Sequence, residues 1–338
     1  MTIKELIDNQ RIGWSLHQRF YTDPDIYEAE LDHIITKNWI MIGHVSEFSN
    51  IGDFKVFNMA NESAIIVKSP DGNLKAFANV CRHRGSLVCL EQSGTIRKFS
   101  CPYHGWVYDL NGNLIQVRDM PDDFDKKDYG LHGLSLDIVH GLVFICFSGN
   151  PPSLESAKKE LKGPMSDFDF ENMKVAASKM YPIEANWKLS IENYQECYHC
   201  ATAHPEYAKM HTMMLDREKR ERMQNHMYEN MIACGLRDLE IEKTNINAPS
   251  GEQGYEYSRT AFFKGYKTGS RDGEPVAPLL GKLKDYDGGA SDLSIGPFSF
   301  LLAYSDHVVC YVFSPVDQNN SQCEIYWLVR GDAEEGKD

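Results

Sequence analysis

Long apolar runs are missing from this 338-residue chain: the longest, Leu142-Val-Phe-Ile-Cys-Phe147, falls far short of the ~20 residues that span a bilayer. No membrane association is therefore expected, and the opening MTIKELIDNQ has no apolar signal core, which points to a cytoplasmic location. Positive charge is also short. Against 49 Asp+Glu there are 35 Lys+Arg, a net charge of -14, so no basic patch for a nucleic acid is expected and the acidity reads as solubility. Nine cysteines fall in no disulfide-framework spacing, which makes them free thiols or metal ligands in a reducing compartment. Neither internal repeats nor low-complexity segments are present.

What is present is the ordinary composition of a folded protein, 42% hydrophobic and 25% charged, at a length that favours about two domains. From Phe54 the pattern turns strand-like in FKVFNM, SAIIVKS and LKAFANV, and continues to LSLDIVHGLVFICFS, with Asn111-Gly112 as a type I′ hairpin signal. The breaker cluster Gly149-Asn150-Pro151-Pro152 closes this β region. Helical stretches are expected from Ser153 to Lys162 and from Pro205 to about Asn230, and the polar, Gly-rich tract from Ala248 to Ser294 reads as long loops around a cleft. Two final strand regions follow, SFLLAYSDHVVCYVFSP broken near Asp306, and QCEIYWLVRG. The chain thus reads as α+β, with residues 40–152 as a β domain inserted between an N-terminal helical piece, 1–39, and a larger domain, 153–338.

Within the β domain stand Cys81-x-His83 and, seventeen residues on, Cys101-x2-His104, each pair followed by a glycine, Gly85 and Gly105, that lets a loop bend closely. Zinc fingers order two Cys before two His, whereas here each loop supplies one of each. That order suits a two-iron cluster with both thiolates on one iron and both imidazoles on the other, as in Rieske centres, which relay one electron. A mixed Cys/His zinc site is the bland alternative. Cys89, between the pairs, reads as a small buried filler.

A second constellation lies in NWKLSIENYQECYHCATAHP. Asn193, Glu196 and His199 are spaced i, i+3, i+6, one polar stripe if the segment is helical. His204 lies five residues after His199 and points away on an ideal helix, so both bind one metal only if the helix breaks, as Pro205 favours. Two imidazoles with a carboxylate make the open facial triad of non-haem iron(II) oxygenases. Cys197 and Cys200 read as buried thiols turned toward different neighbours.

With both sites in hand, the sequence resembles the α subunits of Rieske non-haem iron oxygenases over almost its whole length, matching Cys-x-His, Cys-x2-His and Glu-x2-His-x4-His in order. The resemblance implies an all-β Rieske [2Fe-2S] domain inserted in a helix-grip catalytic domain with a mononuclear Fe(II) held by His199 and His204. It implies a head-to-tail homotrimer in which His104 of one chain faces His199 of the next, and electrons from an NAD(P)H-dependent flavin/iron-sulfur reductase. Most members have a bridging aspartate where this chain has Glu196. A glutamate there is similar to the branch that oxidises carnitine, choline, glycine betaine and stachydrine.

O2-dependent hydroxylation and N-demethylation of a quaternary ammonium compound is the expected reaction, with aromatic-ring hydroxylation as the alternative and a pure Rieske electron-transfer protein disfavoured by the ~190 residues after the β domain. Cation-π walls for such a substrate are sought in Phe298, Phe300, Tyr304 and Tyr311. One departure stands out: the family's third iron ligand is an aspartate beyond a segment like GDAEEGKD, where this sequence stops at Asp338. Asp306, Asp317 and Asp332 do not match its motif, so the third ligand is expected to be missing from the given stretch and iron to be held weakly.

Overall fold

The computed structural model describes residues 1–236 and 242–337. Three short helices open the chain: α1 (Ile3–Asp8), α2 (Arg19–Thr22) and α3 (Pro24–Glu30). The start of α3 is set locally, because Asp23 caps it by accepting from the Asp25 N–H, and Pro24 at the first position needs no donor.

Ten strands follow: β1 (Ile40–His44), β2 (Asp53–Met59), β3 (Glu62–Lys68), β4 (Leu74–Ala78), β5 (Ser93–Thr95), β6 (Phe99–Ser100), β7 (Val107–Tyr108), β8 (Leu114–Gln116), β9 (Gly133–Val139) and β10 (Leu142–Cys146). Seven of them form an antiparallel sheet in the order β1-β10-β9-β4-β3-β2-β5, and β6-β7-β8 form a small second one. The Asn111-Gly112 turn departs from the type I′ expectation. Only Gly112 takes a positive φ, 80°, whereas type I′ needs both central residues there. Asp109 decides this, since its carboxylate accepts from the N–H groups of Asn111 and Asn113 and holds Asn111 in a right-handed Asx turn.

Beyond β10 come α4 (Glu155–Asp167), β11 (Met173–Ile183), α5 (Trp187–Gln195), α6 (Cys200–Ala203), α7 (Pro205–Met210) and α8 (Arg217–Ala233), then β12 (Glu242–Thr244), β13 (Tyr255–Ala261), β14 (Gly289–Ile295), β15 (Ser299–Ala303), β16 (His307–Pro315) and β17 (Ser321–Arg330). The seven strands among them form one antiparallel sheet, β11-β17-β16-β15-β14-β13-β12, with α5 to α8 contributing, together with the sheet, to the lining of one cavity.

Two expectations are corrected here. The single helical run from Pro205 is two helices, because Asp216 starts a new one by accepting from the Lys219 N–H at 2.9 Å. The tract from Ala248 to Ser294 is not all loop: YEYSRTA and GASDLSI are strands whose burial alternates in the period-two manner of a half-buried sheet.

The main apolar core runs between the two large sheets, taking in Ile40, Ile42 and Phe144 on one side and Tyr326 and Leu328 on the other. Polar ties cross it. The Tyr326 hydroxyl donates to the Ile42 carbonyl at 3.0 Å and accepts from Lys55 Nζ at 2.8 Å. A smaller core, with Phe99, Trp106 and Tyr108, sits under the Cys81 and Cys101 loops. Among the described residues no helix is long and apolar enough to cross a membrane.

Candidate metal centres and active-site cavity

Two loops of the same shape carry the first constellation. In one, Gly85 N–H closes onto the Cys81 carbonyl and Cys81 N–H onto Ser86; in the other, Gly105 closes onto Cys101 and Cys101 onto Trp106, all at 2.8–3.0 Å. Gly85 and Gly105 have φ of 72° and 69°, left-handed values that a residue with a Cβ adopts only at a cost. The loops thereby bring Cys81 and Cys101 into contact, and the His83 and His104 rings to 4.5 Å between centroids.

Thiol meets thiol and ring meets ring. Among the described residues no three His, Cys, Asp or Glu side chains converge on one point, as a single tetrahedral zinc would require. Two separate pairs are what two irons need. His83 Nδ1 is buried without a hydrogen-bond partner, a costly state that a bound cluster would relieve. The His83 ring is stacked on Trp106 at 4.9 Å and 8°, and Trp106 is boxed edge-on by Phe124 and Tyr129. Desolvation, with the neighbouring His104 and Arg84, depresses the His83 pKa and keeps the imidazole neutral, the form that binds a metal. Tyr108 places its hydroxyl 3.3 Å from Cys81 Sγ. Burial raises the Cys81 pKa, and that hydroxyl works against the rise. Cys89 lies part-buried with its thiol pushed up to about 11 by desolvation, and it takes no part in either pair.

The second constellation is built from a broken helix, not from one polar stripe. Helix α5 ends at Gln195, and Glu196 is extended (φ -111°, ψ 145°), so Asn193, Glu196 and His199 do not share one helix. The cause lies in Glu196 itself, whose carboxylate accepts from the Tyr198 N–H at 2.5 Å and from His199 Nδ1 at 2.6 Å, drawing the chain into a turn. These bonds also hold the Glu196 carboxyl below its ordinary pKa, the His199 bond foremost. Asn193 Nδ2 stands 3.5 Å from the same His199 nitrogen. With Nδ1 committed to a carboxylate, His199 offers Nε2 to a metal, the arrangement usual for ligating histidines.

His204 sits between α6 and α7 with φ -136° and ψ 63°, outside the helical region as its position before Pro205 dictates. This kink turns its ring back on His199, 5.3 Å between centroids and nearly perpendicular. The donor chemistry of this pair fits two positions of a non-haem iron site; no third acid, thiol or imidazole joins it among the described residues. Asp306 bonds His307 and Thr268, Asp317 closes its own turn, and Asp332 pairs with Arg330. Asp338 lies outside the described residues. Cys197 and Cys200 correct another expectation: Cys197 is exposed and only Cys200 is buried, and their sulfurs are 2.8 Å apart because the turn at Glu196 faces them toward each other.

His199 and His204 open on a cavity of about 1350 Å³ lined by the helices and one face of the sheet. Strand register decides which sheet residues face it. Ser258, Asp292 and Leu302 lie side by side on β13, β14 and β15, as do Ser294, Phe300 and Tyr311 one step along. Of the four aromatics singled out in the sequence, Phe300 and Tyr311 line the cavity, and the Tyr194 ring is tilted against both, at 4.6 and 5.2 Å between centroids. Phe298 packs beneath α5 against Trp187, and Tyr304 packs against Phe262 and His307, both away from the lining. Sequence reasoning missed Tyr194, Tyr207 and Asp292 as cavity residues. The signal for Asp292 was the inward-facing alternation of GASDLSI, obscured by its small residues.

Residues 38–130 match the family model of the Rieske [2Fe-2S] domain, and residues 170–338 that of the ring hydroxylating alpha subunit, catalytic domain. The chain belongs to the Rieske oxygenase alpha subunits. As such it is an oxidoreductase that carries a [2Fe-2S] cluster and a mononuclear iron, with an all-β Rieske domain inserted in a helix-grip catalytic domain. The residues of this subunit that fit those groups are Cys81, His83, Cys101 and His104 for the first and His199 and His204 for the second. It is 31% identical over 336 residues to the glycine betaine monooxygenase oxygenase subunit of Pseudomonas aeruginosa strain UCBPP-PA14, covering 99% of this chain and 78% of that one. To the carnitine monooxygenase oxygenase subunit of Escherichia coli K12 it is 34% identical over 204 residues, 59% of this chain and 54% of that one. In fold the oxygenase subunit matches the crystal structure of the quaternary ammonium Rieske monooxygenase CntA, with a TM-score of 0.72 at 22% identity, covering 99% and 80%.

Proposed function

We propose that this oxygenase subunit hydroxylates an N-methyl group of a quaternary ammonium compound such as a betaine. The observation that carries the reading is the cavity at His199 and His204, walled by Tyr194, Phe300 and Tyr311, whose ring faces suit a methylated cation that has no hydrogen to donate. When bound, the iron supplies activation of O2. The protein's part is placement: the cavity holds the methyl carbon beside the two imidazoles, and Glu196 holds His199 in the tautomer that presents Nε2. Insertion of one oxygen atom into the methyl C–H bond, the other leaving as water with two electrons and two protons supplied, gives a carbinolamine. That product, still a quaternary N-hydroxymethyl ammonium, loses formaldehyde and a proton to leave the tertiary amine, and the net result is N-demethylation.

The exposed Glu196 and the exposed His104 support a head-to-tail homotrimer in which one protomer's cluster feeds its neighbour's iron through His104, Glu196 and His199, fed in turn by an NAD(P)H-dependent flavin/iron-sulfur reductase. Residues 40–152 form the cluster-bearing unit, set between 1–39 and 153–338. The tie between α3 and α5, where Trp187 and Lys188 both donate to Glu30, supports grouping the N-terminal helices with the second part. All nine cysteines are free, which suits the reducing cytoplasm. The test is incubation of the reconstituted protein with a generic reductase, NADH and a panel of betaines. Formaldehyde is expected from at least one wild-type reaction and none from His204→Ala; none from any methylammonium compound with wild type would end the proposal.

A further inference from the structure

The cavity contains a feature that aromatic walls alone do not explain. Asp292 projects from the middle of β14, deep in the fold yet open to the cavity, and among the described residues its carboxylate makes no hydrogen bond and no ion pair. Arg259, on the neighbouring strand, is a cation whose field it feels, but that guanidinium is engaged by Asp287. Glu256, also on the cavity lining, adds a second negative charge on the same face of the sheet. Burial and Glu256 raise the Asp292 carboxyl to about 7, the state of an acid waiting for a counter-charge. Its field reaches the aromatic ring of residues: burial raises the pKa values of Tyr194, Tyr207 and Tyr311, and the Asp292 charge adds to each.

Resting on the substrate class proposed above, we infer that the Asp292 carboxylate is the counter-ion of the substrate's ammonium head, and that this pairing selects a permanent cation over a neutral molecule of the same shape. Ring faces already favour a trimethylammonium group over a tert-butyl group of equal area, and a carboxylate at the same cavity adds a full opposite charge to that preference. An acid set deep in the fold discriminates in both directions. A quaternary nitrogen pairs with it and cannot escape by losing a proton, whereas a neutral occupant seals the carboxylate away from water with no partner. Asp292 is thus a specificity-determining residue that acts on the substrate's charge.

Calorimetric titration of the folded protein with two matched pairs tests the inference: glycine betaine against 3,3-dimethylbutanoate, and choline against 3,3-dimethylbutan-1-ol, each pair differing only in nitrogen or carbon at the branch point. Wild type should bind at least one cation more than tenfold tighter than its carbon isostere. Asp292→Asn should weaken that cation at least tenfold and leave the isostere unchanged or tighter, while Asp292→Glu retains most of the preference. Wild-type binding of a cation together with equal binding by Asp292→Asn overturns the role of Asp292 and leaves the substrate class standing. Failure of wild type to bind either cation overturns both. Where Asp292→Asn does not fold, Asp292→Ser takes its place, and a cation preference equal to that of wild type overturns the inference.

Discussion

Single atoms around the cluster loops carry the finest control. The Tyr108 hydroxyl faces Cys81 Sγ at 3.3 Å and also accepts from the Arg82 N–H at 3.1 Å, so its proton is directed at the sulfur. Hydrogen bonds to cluster sulfurs stabilise the more negative, reduced form. Tyr108→Phe should therefore lower the reduction potential of the cluster, by on the order of one tenfold shift in a one-electron equilibrium, ~59 mV, read by voltammetry. An unchanged potential would show that the hydroxyl leaves the cluster electronically untouched. The four candidate donors were legible at this scale because Cys81, His83, Cys101 and His104 sit in two short loops whose spacing is covalent. Tyr108 was not, because a tyrosine in a strand is ordinary until its hydroxyl is seen to meet a sulfur.

At the scale of elements, the placement of His199 depends on how α5 is anchored. Asn186 caps this helix, and Trp187, Ser190 and Ile191 recur at helical spacing on its buried side. At its first turn Trp187 Nε1 and Lys188 Nζ donate to the same oxygen of Glu30, at 3.0 and 2.7 Å, fastening α5 to α3. Desolvation depresses the Lys188 pKa, and the Glu30 carboxylate works against that fall. Removing one charge of a buried pair strands the other, so Glu30→Gln should cost about 3–5 kcal/mol, visible as a lower urea midpoint, while replacing Glu30 and Lys188 together by Met should recover much of it. A single-variant loss within experimental error would mean that water screens the pair. Element types were mostly readable from periodicity. The break after Gln195 was not, because the helical spacing of Asn193, Glu196 and His199 is real in the sequence and is overruled by Glu196 bonding its own turn.

For the molecule as a whole, acid is the expected weakness. His211 is buried among Tyr207, Phe262 and Tyr304, its Nε2 has no partner, and desolvation lowers its pKa to about 4. The unfolded chain protonates this histidine near pH ~6.5 and the folded one only near 4, so its contribution is intact above pH ~6.5 and is lost as pH falls from there toward 4. The loss approaches about 3 kcal/mol at the acid end. Urea midpoints should drop between pH 7 and 5 in the wild type and drop less in His211→Gln; equal slopes would remove His211 from the account.

The sequence by itself determined the α+β class and set out the two candidate donor sets, because candidate ligands in one loop and residues in one strand are related by short covalent spacing and by periods of two or 3.6. Only the tertiary structure decided what surrounds them. Tyr194, Asp292 and Tyr311 are about a hundred residues apart at their widest and meet because antiparallel register aligns β14, β15 and β16 beneath α5, and the Cys197 and Cys200 sulfurs meet because a carboxylate bends the chain. Register and burial are properties of the assembled sheet. No local pattern states which face of GASDLSI will look into a cavity until the strands on either side are in place.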